Sequence, residues 1–362
     1  MKSIPLIHNS SSELKAYFLQ ESWADFLLQH IHPAFSLYRV LAKVSKIKQE
    51  TKDVKTYTLF PNFHWKGFKA GQYLPVSLTV GGKRHTRLYS ISCKPGEKTI
   101  SITVKQKENG FFSSYLHEQV RVGDYLELGK AEGNFFPEEE GDEPLLFIAA
   151  GCGITPVYSN LQELSVLQDK RDVKLLYFVP DKESVIFQEE LKYLKKHTDF
   201  QLHIFFTREK REGYNSGHFS LKLLKEYIPD FKERKAFLCG PSSLIEAVQD
   251  VYQKEAILKN LKTESFTPYV NTVVTESDER EVKLLRSHKT LRLSKGNDLL
   301  SELEKNGIYP QSACRMGICH TCKCEKKSGQ IKNLINGNVS GLTEEHIQLC
   351  ISTIETDIEL EL

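Results

Sequence analysis

The chain has 362 residues, long for a single core and suited to two or three domains of ordinary size. Its 40% hydrophobic and 27% charged residues exclude a disordered chain. Its 49 basic and 47 acidic residues leave a net charge of +2 with no basic block, so no nucleic-acid partner is expected.

No stretch approaches the roughly 20 apolar residues that span a bilayer, so no transmembrane segment is expected. The first ten residues lack the charged-then-apolar pattern of a secretory signal. The 8 cysteines are too sparse for a disulfide scaffold, and their clustering near the end suggests thiolate ligands that need a reducing compartment. The expected location is cytoplasmic, with a peripheral position at the inner face of the membrane as the alternative.

In chain order, residues 1–36 read as a helical arm. Leu14, Phe18, Trp23, Phe26, Leu27 and Ile31 give its 13–31 segment an apolar face, and Pro33 ends it. The arm is expected to pack on the chain's own core, with a membrane or partner contact as the alternative. Residues 37–137 hold short alternating strands at 44–48, 54–60, 73–79, 87–92, 100–104 and 125–128, separated by turns such as Pro95-Gly96 and Gly123-Asp124. That texture predicts an antiparallel β-barrel.

After the acidic hinge at 138–142, residues 138–265 alternate apolar strands (145–150, 173–179, 200–206, 235–239) with helical patterns (156–167, 187–196, 221–227, 241–252). Alternation of this kind predicts a doubly wound parallel α/β sheet. The polar stretch 263–280 reads as a linker. A third domain, 281–362, opens with a hairpin at 281–286 and 290–293 and a helix at 299–305.

Cys314, Cys319 and Cys322 stand at C-x4-C-x2-C spacing, with Cys350 far downstream. Three thiolates from one loop and a fourth from a distant element is the plant-type [2Fe-2S] arrangement. Zinc and a dithiol pair are the alternatives, but structural zinc favours paired cysteines at closer spacing. Gly317 would let the loop curl around the cluster and donate N–H groups to sulfur. Cys324 is surplus to the four ligands.

Arg87-Leu88-Tyr89-Ser90 lies on a predicted barrel strand, where alternation sends Arg87 and Tyr89 to one face. The tetrapeptide offers a cation for a flavin phosphate, an aromatic plane, and a small hydroxyl; alone it also arises by chance. Gly110 to Tyr115 begins a short helix whose free N–H groups and Ser113 suit a phosphate, or form an ordinary cap.

Gly151-Cys152-Gly153-Ile154-Thr155-Pro156 joins a strand to a helix. Gly151 and Gly153 allow a pyrophosphate to approach, and Thr155 could hydrogen-bond it. Cys239-Gly240-Pro241 ends another strand, at the edge where ligands of such sheets collect. Cys239 is expected beside a nicotinamide, with simple burial the alternative. Thr207, Arg208 and Lys210 could hold a 2′-phosphate, favouring NADPH over NADH, or form a solvated loop.

With these motifs in this order, the chain resembles the ferredoxin–NADP reductase superfamily. Its cysteine-rich end is similar to the ferredoxin domain of fused electron-transfer reductases. The resemblance implies Arg87 on the flavin phosphates, Tyr89 on the isoalloxazine, Ser90 near N5, and Ser113 at the pyrophosphate. It also implies that Gly151, Gly153 and Thr155 hold the nicotinamide nucleotide. Ser90 and Cys239 would flank the reacting rings. FAD is the implied flavin, with FMN as the alternative, beside a [2Fe-2S] cluster. Plant-type reductases end in an aromatic residue that shields the flavin, whereas this chain continues into the ferredoxin domain.

His32-Pro33, Phe63-His64-Trp65-Lys66-Gly67 and Gly71-Gln72-Tyr73 are similar to bacterial reductases that serve membrane acyl-CoA desaturases. The expected activity is electron transfer from NADPH through flavin and cluster to an acceptor protein, a membrane desaturase first. The alternatives are the reductase of a soluble aromatic or alkane oxygenase, and a non-catalytic redox sensor.

Overall fold

The computed structural model describes residues 36–81, 83–108, 110–138, 141–266, 278–312, 315, 317, 321–335 and 337–362. The arm expected at 13–31, most of the linker, and Cys314 and Cys319 lie outside them.

The first alternating region forms β1 (Val40–Thr51), β2 (Val54–Pro61), β3 (Tyr73–Val80), β4 (Lys83–Ser90), β5 (Ile100–Lys105), α1 (Phe111–Glu118) and β6 (Tyr125–Leu128). The strands pair antiparallel in the order β4-β3-β6-β1-β2-β5, and an Ile91–Ile102 bridge brings the two edges together. Inward residues such as Val44, Tyr57, Leu74, Val76 and Ile102 fill the barrel. Strand β4 starts at Lys83, ahead of the expected 87. Its polar beginning is held by cross-strand pairing, from Val80 opposite Lys83 to Tyr73 opposite Ser90, and no apolar pattern marks it.

Next come β7 (Leu145–Ala150), α2 (Ile154–Val166), β8 (Val173–Val179), α3 (Gln188–His197), β9 (Gln201–Phe206), β10 (Asn215–Ser216), α4 (Leu221–Tyr227), β11 (Lys235–Gly240), α5 (Ser242–Lys254) and β12 (Leu261–Ser265). They build a parallel sheet in the order β10-β9-β8-β7-β11-β12. Both faces are buried, Phe147, Leu175 and Tyr177 on one and Ile148, Leu176 and Phe178 on the other. This is why β7 is a continuous apolar run and β8 is apolar from Leu175 to Val179. The expected linker is corrected here: residues 263–265 belong to edge strand β12, whose polar sequence hides its pairing with β11.

The last unit comprises β13 (Glu279–Leu284), β14 (Lys289–Ser294), α6 (Leu299–Lys305), β15 (Lys323–Ser328), β16 (Ile331–Asn333), β17 (Glu345–Gln348), β18 (Ser352–Ile354) and β19 (Ile358–Leu360). Its main sheet runs β14-β13-β19-β15-β17, with β13 and β19 parallel, and Leu299, Leu300 and Leu303 of α6 pack on it as in a β-grasp. Glu279 and Arg280, expected in the linker, already pair within β13. No helix among the described residues is long and apolar enough to cross a membrane.

The barrel and the parallel sheet are fastened by buried polar side chains of α2. Ser159 Oγ donates to the Cys93 carbonyl (2.6 Å), Asn160 Nδ2 to the Phe135 carbonyl (2.9 Å), and Gln162 Nε2 to the Ser92 carbonyl (3.3 Å). Gly71, at φ +75°, admits this contact: a Cβ there would lie 1.9 Å from the Phe135 oxygen. The helix leaving the Gly151 loop is thus tied to the chain just past Ser90.

Candidate functional site

Three sites emerge. On β4, His85, Arg87 and Tyr89 share one face by strand alternation. The Arg87 guanidinium lies 6.0 Å from the Phe112 ring centre, and the Tyr89 and Phe112 rings are 6.1 Å apart. Burial lowers the Arg87 pKa, and the charge of Arg315 lowers it further, against an opposing pull from Glu304. Arg315 belongs to the cluster loop and pairs with Glu304 of α6 at 2.5 Å. Burial likewise pushes the Tyr89 hydroxyl far above its usual range, leaving it neutral.

Ser90 is 4% exposed, and its hydroxyl has no hydrogen-bond partner among the described residues. A buried hydroxyl without a partner is costly unless something absent completes it. An isoalloxazine resting beside Tyr89 would do so, and on that observation the strand fits a flavin.

Helix α1 begins after Gly110 with no side-chain cap, leaving first-turn N–H groups for an anion. Ser113 Oγ is spent locally, accepting from Lys107 N (3.0 Å) and donating to the Gly110 carbonyl (3.1 Å). A phosphate here would therefore meet the backbone rather than the expected hydroxyl.

The parallel sheet changes winding direction between β7 and β11, where a crevice opens in such folds. Gly151, at φ +51°, faces open space, and Tyr177 Oη fixes its carbonyl at 3.1 Å. Gly153 answers a different need: a Cβ would sit 2.0 Å from the Cys239 carbonyl oxygen. Its place is set by packing between two strand ends. Thr155 is 2% exposed and donates to the Cys152 carbonyl (2.9 Å), so its hydroxyl closes the turn and does not face the crevice.

Cys239 departs from the expected ring contact: its side chain is 0% exposed in the sheet core. Burial, reinforced by Glu264, raises its pKa well above the ordinary thiol value. Gly240 is buried too, its Cβ position 3.3 Å from that of Ala150, while Pro241 is exposed and starts α5 without a side-chain cap. Arg208 lies exposed just past β9, its N–H bonded to the Pro180 carbonyl (2.9 Å).

Sequence reading missed Glu264. It pairs with Cys239 across β11 and β12, its Oε2 is buried without a partner among the described residues, and burial raises its pKa to about 8. No apolar alternation in Leu261-Lys-Thr-Glu-Ser signals the strand, so the segment passes for a polar linker.

Cys322 and Cys350 meet in the ferredoxin core with their sulfurs 3.2 Å apart. That is too long for a disulfide of about 2.05 Å, and it brings two ligand-type sulfurs together from distant parts of the chain. Gly317, at φ +74°, donates its N–H to Cys350 Sγ (3.3 Å), and a Cβ there would strike Ile351 at 2.6 Å. Cys324 sits two residues on in β15, where burial raises its thiol to about 11. The described part of the loop fits a thiolate-bound cluster.

Comparison with known proteins agrees with these three sites in order. An oxidoreductase FAD-binding domain model matches residues 41–136, an oxidoreductase NAD-binding domain model 147–250, and a 2Fe-2S iron-sulfur cluster binding domain model 282–354. The chain belongs to the ferredoxin–NADP reductase superfamily. The glycine betaine monooxygenase reductase subunit of Pseudomonas aeruginosa is 29% identical, over 89% of this chain and 95% of its own length. An NADPH oxidoreductase of Mycobacterium tuberculosis is 27% identical, over 93% of this chain and 88% of its own. The structure of phthalate dioxygenase reductase superposes with a TM-score of 0.63 at 23% identity, covering 90% of this chain and 98% of that one, and shows the shared fold. This reductase is therefore an oxidoreductase with FAD, NAD(P)H and [2Fe-2S] as its redox groups.

Proposed function

We propose that the reductase oxidises NADPH and hands electrons singly, through its own cluster, to the oxygen-activating component of an oxygenase. The observation that carries the flavin half is the buried, unpartnered Ser90 hydroxyl at the end of the strand bearing Arg87 and Tyr89. A bound flavin supplies the chemistry of taking two electrons and releasing them one at a time.

The chain's residues position and insulate. Arg87 and the first turn of α1, behind Gly110 and Ser113, hold the flavin phosphates. Tyr89 would lie against the flavin ring, and the Ser90 hydroxyl would be placed to donate to it. The Gly151 turn and the uncapped start of α5 at Gly240-Pro241 take the nicotinamide nucleotide. Gly153, Thr155 and Cys239 shape that crevice from behind, and exposed Arg208 meets a 2′-phosphate. Because α2 is bonded to the exit of the flavin strand, the two half-sites keep a fixed separation, which favours transfer between them. Cys314, Cys319, Cys322 and Cys350 hold the irons.

The oxygenase reading is supported by the glycine betaine relative, which matches along nearly its whole length. The desaturase reading rests on the Phe63 to Gly67 motif, whose Phe63 is 76% exposed on the barrel and free to meet a large partner. Reconstitution separates them. NADPH should reduce ferricyanide through the purified protein in both cases, but only the true acceptor, purified oxygenase or desaturase membranes, should give product at a rate set by reductase concentration. An NADPH addition that leaves the flavin absorbance unbleached would refute the proposal.

A further inference from the structure

Glycine at 151 lets the chain take φ +51°, and it also leaves the peptide that follows free to rotate. A turn that offers backbone N–H groups to a pyrophosphate needs those groups held still. Tyr177, fully buried in β8, reaches this turn from the sheet core. Its hydroxyl donates to the Gly151 carbonyl at 3.1 Å and accepts the Ile186 N–H at 3.4 Å. A phenol has one proton to give and lone pairs to receive, so both roles are filled at once. The Ile154 N–H also reaches the Gly151 carbonyl, but it is shared with the carbonyl of Cys152.

The second bond anchors the first. Ile186 leads into Phe187, which holds φ +58° just ahead of α3, with its ring stacked on Tyr158 of α2 at 4.4 Å. That stack steadies the stretch from which Ile186 donates, and α2 is the helix that leaves the Gly151 turn. In a trans peptide the C=O and the N–H of the next residue point opposite ways. With the Gly151 oxygen drawn toward a buried phenol, the Cys152 N–H is turned away from the core. We propose that the Tyr177 hydroxyl is a positioning group for the pyridine nucleotide: it locks the Gly151–Cys152 peptide so that the Cys152 N–H meets the pyrophosphate. The inference rests on reading the Gly151 turn as the nucleotide site. Phenylalanine would fill the same space in the core and leave the peptide unlocked.

The test uses the full chain with flavin and cluster in place. Tyr177→Phe keeps the ring and removes only the hydroxyl, so flavin and iron content should match wild type. With ferricyanide as acceptor, KM for NADPH should rise about fivefold to tenfold while kcat stays within about twofold. That split is expected when the ground state and the transition state lose the same contact. Reduction of the flavin by dithionite, which needs no nucleotide, should keep its wild-type rate. An unchanged KM in Tyr177→Phe would overturn the lock. So would loss of flavin or iron, or a slower dithionite step, since either marks a hydroxyl that serves the fold at large. Wild-type flavin that dithionite reduces and NADPH does not would overturn the nucleotide site itself, and the lock with it.

Discussion

Cys322 and Cys350, 28 positions apart in the chain, place their sulfur atoms 3.2 Å from each other at the edge of the ferredoxin core. Cys324 is equally buried, but its thiol donates to the Glu325 carbonyl at 3.6 Å. The two cysteines nearest in sequence therefore have different chemistry. Cys350→Ser should abolish the visible absorption and labile sulfide of the cluster, whereas Cys324→Ala should retain both. Iron and sulfide analysis after anaerobic reconstitution reads the outcome, and loss of cluster in Cys324→Ala would reassign the ligand.

Ser90 separates stability from activity. Its hydroxyl is buried with no partner, so Ser90→Ala in the flavin-free chain removes an unmet polar group and should leave the melting temperature equal or higher. Flavin reduction by NADPH in the loaded enzyme should slow by roughly tenfold or more, through loss of one oriented hydrogen bond. A fall in flavin-free stability would mean that the hydroxyl already has a use in the fold.

Glu264 should make stability depend on pH. Burial raises its pKa from 4.5 to about 8. In the unfolded chain the carboxyl loses its proton near the ordinary value; in the folded chain it keeps it up to about 8. Unfolding between these limits releases a proton, so stability is full below the lower value and falls as pH rises, by at most ~1.4 kcal/mol per pH unit, until it levels above the upper one. Glu264→Gln, neutral throughout, should flatten that slope. Unfolding midpoints from pH 5 to 9 that keep the wild-type slope in the variant would count against a buried carboxyl.

Gly153 tests the nucleotide turn. Its added Cβ would meet the Cys239 carbonyl oxygen at 2.0 Å, a backbone atom that cannot swing away. Gly153→Ala should therefore cost about 3 kcal/mol or more. Gly151, at φ +51° with open space around it, should tolerate alanine sterically and pay only the smaller strain of its left-handed backbone, about 1 kcal/mol. Chemical denaturation of the two variants ranks them, and equal costs would contradict the packing role given to Gly153.

Much of the architecture was legible because local and tertiary signals agreed. Leu145–Ala150 and, but for Lys174, Val173–Val179 are apolar, since both their faces are covered, and their bounds match the sequence reading. Strand β12 was not legible: an edge strand with a polar sequence looks like a tether, and its pairing with Lys235–Gly240 is a long-range fact. Glu264 went unseen with it. The sites divided similarly. Gly317 stands where local chemistry put it, its N–H on Cys350 Sγ. Thr155 and Cys239 turn inward because closing a tight loop and filling a sheet core claim side chains that look suited to ligands.

The three α2 side chains Ser159, Asn160 and Gln162 make the first two domains one rigid part, and none of their bonds reaches the cluster domain. Fuel oxidation and current delivery are thus mechanically separable. Grafting a foreign ferredoxin onto residues 36–265 should redirect the output to a new client without retuning the front end of the machine.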